Sequence, residues 1–171
     1  MEVLKSRRPL TVVLLTLTLL ASPTLSAEPN AIEYEVKAAF LFNFLKFVDW
    51  PAAPDGPWVI GVVGASNFAG ILEGTVRGKT VKGFPVTVKR LPAISAARSC
   101  HIVFVPMPVQ GPLTPLPGVL TVGDDLHFLD AGGIVSFYLE DSKVRFEIQA
   151  DAAKAAGLRV SAQLLKLGKI R

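Results

Sequence analysis

The chain has 171 residues, half of them hydrophobic, which is enough for one domain with a sizeable core. Its single cysteine, Cys100, excludes a disulfide within the chain, so packing must hold the fold. The formal charge of +4 drops to +2 when residues 1–27 are set aside, because Lys5, Arg7 and Arg8 leave with only Glu2. Beyond them there is neither a polybasic run nor an aromatic-basic stripe, and the electrostatic footprint of a nucleic-acid binder is missing.

Residues 1–27 read as a secretory signal peptide. A basic start is followed by an uncharged run over 10–21, then by Pro23 and small residues up to a cleavage site after Ala27. That run of about twelve residues is short of the roughly twenty that a bilayer core requires, which argues against a retained anchor. The predicted organisation is a leader, 1–27, and one exported domain, 28–171, in the periplasm.

Residues 34–50 are the most apolar stretch of that domain. Ala38, Leu41, Leu45 and Val48 recur at helical spacing and Phe40, Phe44 and Phe47 form a second stripe. A helix covered on most sides is predicted, by its own sheet or by a partner. Trp50-Pro51 ends it, since the residue before proline is pushed out of the helical region. Residues 59–63 predict a strand, Gly64-Ala65-Ser66-Asn67 a turn, and 68–76 a helix with Ser66 or Asn67 as its N-cap. A half-buried strand follows over 85–91, a helical turn over 94–98 and a buried strand over 101–105. Five prolines in 106–117 cannot donate ladder hydrogen bonds and predict an exposed connection.

Residues 119–122 resume the sheet. Residues 134–139 and 144–148, separated by Glu140-Asp141-Ser142-Lys143, predict an antiparallel hairpin with Val144, Phe146 and Ile148 on one face and Arg145 and Glu147 on the other. A helix over 151–156 is capped by Gly157, and a second runs from Ser161 through Leu164, Leu165 and Leu167 to a basic end at Lys166 and Lys169. The expected fold is a single α/β domain, a mixed sheet flanked by helices, with a late antiparallel hairpin.

Chemistry-bearing residues are sparse. His101, His127, Asp124 and Asp125 are of the right types for zinc but lack any ligand-pair spacing, so no metal or cofactor is predicted. His101 reads as a core or edge histidine and Asp124-Asp125 as a turn. No nucleophile elbow and no paired carboxylates occur, and Cys100 and His101, as neighbours on a strand, point to opposite faces. No enzymatic activity is predicted. Gly61, Gly64 and Ser66-Asn67 read as a tight turn, because their spacing does not fit a dinucleotide site.

Two surfaces are candidates for a partner. Asn43, Lys46 and Trp50 end the Phe-rich helix and form a candidate rim. The late hairpin is the better candidate, with Glu140, Arg145 and Phe146, Phe128 from the preceding loop and Gln163 from the last helix as one patch. Alternation equally places Phe146 in the core.

Three blocks resemble the YfiR-like family of periplasmic regulatory proteins. They are the Phe-rich segment closing on Trp50-Pro51, the run Arg98-Ser99-Cys100-His101-Ile102-Val103-Phe104-Val105, and residues 132–167 with their Val144-Arg145-Phe146-Glu147-Ile148 centre and Ala156-Gly157-Leu158-Arg159-Val160-Ser161 junction. The resemblance implies a soluble α/β protein, often dimeric, that restrains an inner-membrane diguanylate cyclase through the cyclase's periplasmic region and lowers cyclic di-GMP. It also implies capture by an outer-membrane lipoprotein under envelope stress, and it leaves other membrane sensors, histidine kinases included, as partners. The chain departs from the pattern in two places. Some members carry disulfides, for which Cys100 has no second cysteine, and the proline-rich 106–117 replaces a longer segment. The alternative reading is a periplasmic small-ligand sensor or carrier without a cyclase partner, which predicts a concave apolar pocket.

Overall fold

The structure is a computed structural model describing residues 31–64 and 66–171; the predicted leader lies outside the described residues. Helix α1 spans Ala31–Phe47, with Glu33 in its first turn and Lys46 in its last, each at the favourable end of the helix dipole. Ala38, Leu41, Phe44 and Leu45 are fully buried, Phe40 and Phe47 are half-buried, and Ile32 and Val36 stay exposed at the start. The helix ends before the expected Trp50. Val48–Asp49 leaves it as strand β1 and pairs antiparallel with β9, Arg159–Val160. The backbone N–H of Ser161 closes the exchange by donating to the Phe47 carbonyl at 3.0 Å.

The main sheet contains β2 (Trp58–Val63), β3 (Thr80–Val81), β4 (Phe84–Leu91), β5 (Ile102–Val105), β6 (Leu120–Gly123), β7 (Val135–Glu140), β8 (Lys143–Ile148) and β10 (Lys169–Ile170). Its spatial order is β10-β8-β7-β6-β5-β2-β4-β3. Strands β4, β2, β5, β6 and β7 are parallel neighbours, while β8 is antiparallel to β7. The predicted mixed sheet with its late antiparallel hairpin is what forms, but parallel and antiparallel pairs are not divided between early and late, since β3 is antiparallel to β4 and β10 is parallel to β8.

Both faces of the sheet are covered, which is why its parallel strands are apolar without alternation. Trp58, Ile60, Val62, Ile102, Phe104, Leu120 and Val122 point to the face carrying α1 and α2 (Phe68–Val76). Val63, Leu91, Val103 and Val105 point to the other. That second face is covered by a 3-10 turn over Ile94–Ser99, by the proline-rich segment and by the short helix α3, His127–Asp130. The segment 106–117 is exposed along most of its length, as its prolines dictate, and anchors through buried Leu116 and half-buried Val109 and Leu113.

Three boundaries differ from expectation. The hairpin turn is two residues, Asp141 and Ser142, because Glu140 and Lys143 pair across the strands. Helix α4, Ala150–Ala155, precedes Gly157, whose φ of 77° ends it as predicted. The last helix, α5, is a single turn, Ala162–Leu165, with the Ser161 hydroxyl accepting from the Leu164 N–H at 3.2 Å. Lys169 therefore lies in β10, where it pairs beside Glu147 of β8, and not at a helix end.

Candidate functional site

The β7–β8 hairpin projects from the carboxyl end of the parallel strands and lies beside the start of α1. Its outer edge is paired by β10 only at Glu147 and Ile148, leaving residues 143–146 without a strand neighbour on that side. Between α1 and the hairpin runs a groove of about 530 Å³, lined by Ile32, Val36, Phe40, Leu139 and Val144. Ile32 and Leu139 are more than half exposed, 65% and 56%. At its rim Arg145 Nε lies 3.5 Å from the Glu140 carboxylate, an exposed pair of small energetic weight.

Beneath this groove lies an ion network that sequence reasoning missed. Lys37 is only 3% exposed, and its ammonium lies between the carboxylates of Glu33, one turn earlier, and Asp124, just past β6. Burial pushes the Asp124 carboxyl above the ordinary range, while the Lys37 hydrogen bond and charge pull the other way. The i,i+4 spacing of Glu33 and Lys37 was the available signal. Asp125, beside it, forms the predicted turn: its carboxylate accepts the His127 N–H at 3.0 Å and sits 2.8 Å from the His127 ring nitrogen. That contact raises the His127 pKa, and the two His127 hydrogen bonds lower that of Asp125.

His101 is at the opposite end of the sheet, ahead of β5. Its ring packs 4.6 Å from Trp58 and 5.9 Å from Trp50, and its Nδ1 accepts the Val59 N–H at 3.1 Å. Burial lowers its pKa, consistent with a neutral ring that accepts through Nδ1. Cys100 points the other way, into the second core, 4% exposed and with its thiol pKa raised by burial. The two histidines thus sit far apart, and among the described residues no group of three His, Cys, Asp or Glu gathers for a metal.

The expected patch is not one surface. Phe128 lies in the second core, against Gly123 and Gly133, where a Cβ would come within 2.2 Å and 2.1 Å of its ring. Phe146 lies under α1, its ring centroid 5.2 Å from Phe40 and 5.3 Å from Phe44. Both are 2% exposed, so neither presents a side chain to a partner. Their burial follows from the glycines that let the backbone approach them and from the inward face of β8. Glu140 and Arg145 are exposed on the hairpin and Gln163 is exposed on α5. Asn43 and Lys46 meet at 3.3 Å on α1, and Trp50 is half-buried in the aromatic cluster, its indole N–H without an acceptor among the described residues.

A doubly wound sheet commonly binds ligands where the strand order reverses, here between the carboxyl ends of β2 and β5. Met107 occupies that crevice. Its Cε is 3.0 Å from where a Cβ on Gly64 would stand.

Residues 34–169 match the profile of YfiR/HmsC-like proteins. The chain belongs to the YfiR/HmsC-like family. The matched span runs from α1 to β10 and takes in the hairpin, the groove and the aromatic end. YfiR/HmsC-like proteins are periplasmic regulators of diguanylate cyclases. A comparison with curated proteins finds no match. Among the described residues of this YfiR/HmsC-like chain, no helix is long and apolar enough to cross a membrane.

Proposed function

We propose that the chain is an exported, non-catalytic regulator that docks on the periplasmic region of a membrane-bound diguanylate cyclase and lowers cyclic di-GMP output while bound. The family profile over 34–169 carries this reading. The docking surface is the groove between α1 and the β7–β8 hairpin, because it joins exposed Ile32, Val36 and Leu139 to a charged rim at Glu140 and Arg145. An apolar centre with a polar rim is the anatomy of a protein interface. Asn43, Lys46, Trp50 and Gln163 do not line this groove.

The test is deletion of the gene in its host and measurement of intracellular cyclic di-GMP. A rise is expected, reversed by the chain carrying residues 1–27 and not by one lacking them. A Leu139→Asp, Arg145→Glu variant is expected to export and fold normally yet fail to restore the low level. No rise in the deletion strain, under growth and envelope stress alike, removes the cyclase and leaves a kinase partner or a ligand-binding role.

A further inference from the structure

The charges of the domain are unevenly placed. Residues 74–123 contain no Asp or Glu, yet they hold Arg77, Lys79, Lys82, Lys89, Arg90 and Arg98. None of these forms a run longer than the Lys89-Arg90 pair, so the sequence shows the excess of base but not the surface on which it gathers. Five of the six lie on the α2–β3–β4 region, at the sheet edge opposite the β7–β8 hairpin. All are exposed. Arg90 pairs with Glu73 at 3.4 Å, whereas no carboxylate among the described residues forms a salt bridge with Arg77, Lys79, Lys82 or Lys89.

Helix α1 adds a further cation. Lys46 Nζ is 4.3 Å and Lys79 Nζ 4.9 Å from the centroid of the same Phe42 ring, so two ammonium groups flank one ring, and neither forms a salt bridge with a carboxylate among the described residues. Like charges so placed repel, and an external anion relieves the repulsion. At the β3–β4 turn, Lys82 (φ 50°) and Gly83 (φ 85°) form a tight tip, fixed from below by the Trp58 Nε1–H donating to the Val81 carbonyl at 2.9 Å. Phe84, 36% exposed, and half-buried Trp50 line a small cleft beside Lys82, with Asp49 as the one acid there.

We propose that this edge is a peripheral contact for a membrane surface carrying anionic phospholipid headgroups. Exposed Phe84 and half-buried Trp50 beside Lys82 suit the headgroup boundary, where each basic side chain adds to binding and an aromatic ring sits partly in the apolar layer. An added acidic β-strand fits less well. Pro85 and the exposed Lys89 and Arg90 along β4 are the features that keep an edge from pairing. The orientation has a consequence for regulation. Five strand spacings separate β4 from β8, so an edge seated on the membrane holds the hairpin about 24 Å further out, level with the extramembrane part of a membrane-bound partner.

The test is co-sedimentation of protein purified from cells expressing the full chain with vesicles of phosphatidylglycerol and phosphatidylcholine, or of phosphatidylcholine alone. Binding to the anionic vesicles, lost in half-molar salt, is expected. Lys79→Ala with Lys82→Ala is expected to weaken it about thirty-fold. Phe84→Ser weakens it further, and Lys143→Ala with Arg145→Ala at the other edge leaves it unchanged. Unaltered circular dichroism and thermal midpoints of the variants show that they fold, since every substituted residue is exposed. Equal binding to both vesicle types, no binding to either, or binding to polyglutamate in their place overturns the proposal. None of these outcomes depends on a cyclase, so failure here leaves the regulatory reading standing.

Discussion

Lys37 shows how a residue can be misread in isolation. In the sequence it interrupts an apolar helix and looks like a solvated charge, whereas the fold encloses it between two carboxylates that are themselves largely buried. Lys37→Met would leave Glu33 and Asp124 facing each other without a cation, and the expected loss is about 3 kcal/mol of folding stability, measured by urea unfolding. If the midpoint does not move, the network is not holding α1 to the end of β6. His127 behaves oppositely, since it is exposed and tuned chiefly by Asp125, with Asp130 adding in the same direction. Its NMR titration midpoint is expected above the ordinary 6.5 and to fall back in Asp125→Asn. Because its folded pKa is raised, its stabilising contribution is complete below 6.5 and disappears as pH climbs through the folded value. Asp125 has a lowered pKa, so its contribution is present above 3.8 and disappears as pH falls through the folded value.

Elements were legible where local pattern and tertiary environment agree. Helices α1 and α2, strands β2, β4, β5 and β6 and both arms of the hairpin follow from apolar periodicity and turn residues. The errors lie where a distant strand competes for the backbone. Val48 and Asp49 leave the helical path to pair with β9, and the last helix stops at Leu165, after which Gly168, where a Cβ would come within 2.3 Å of the Phe146 ring, lets the chain pass into β10 beside β8. The hairpin turn places Asp141 and Ser142 at φ 49° and 58°, a left-handed conformation that glycine adopts without steric cost. Ser142→Gly is therefore expected to stabilise the protein by about 0.5–1 kcal/mol, read as a rise of roughly 2 °C in the thermal midpoint. A fall would mean that the turn relies on the serine side chain.

At the scale of the whole molecule, the sheet separates surfaces that the chain interleaves. The aromatic end with Trp50 and His101 lies at the amino ends of the parallel strands, the hairpin tip at a carboxyl end, and the basic edge across the sheet from β8. Of the candidate partner residues, Glu140 and Arg145 come together, while Phe128 and Phe146 are withdrawn into two different cores. Sequence by itself determined the α/β class, the order and type of most elements, the impossibility of an internal disulfide and the family, because these depend on local periodicity, on composition and on motifs contiguous in the chain. Only the tertiary structure decided the strand order, the burial of Lys37 with Asp124, the interior position of Phe128 and Phe146, and the gathering of separated lysines on one edge. Each of these is set by contacts between residues far apart in the chain, whose energies no local pattern records.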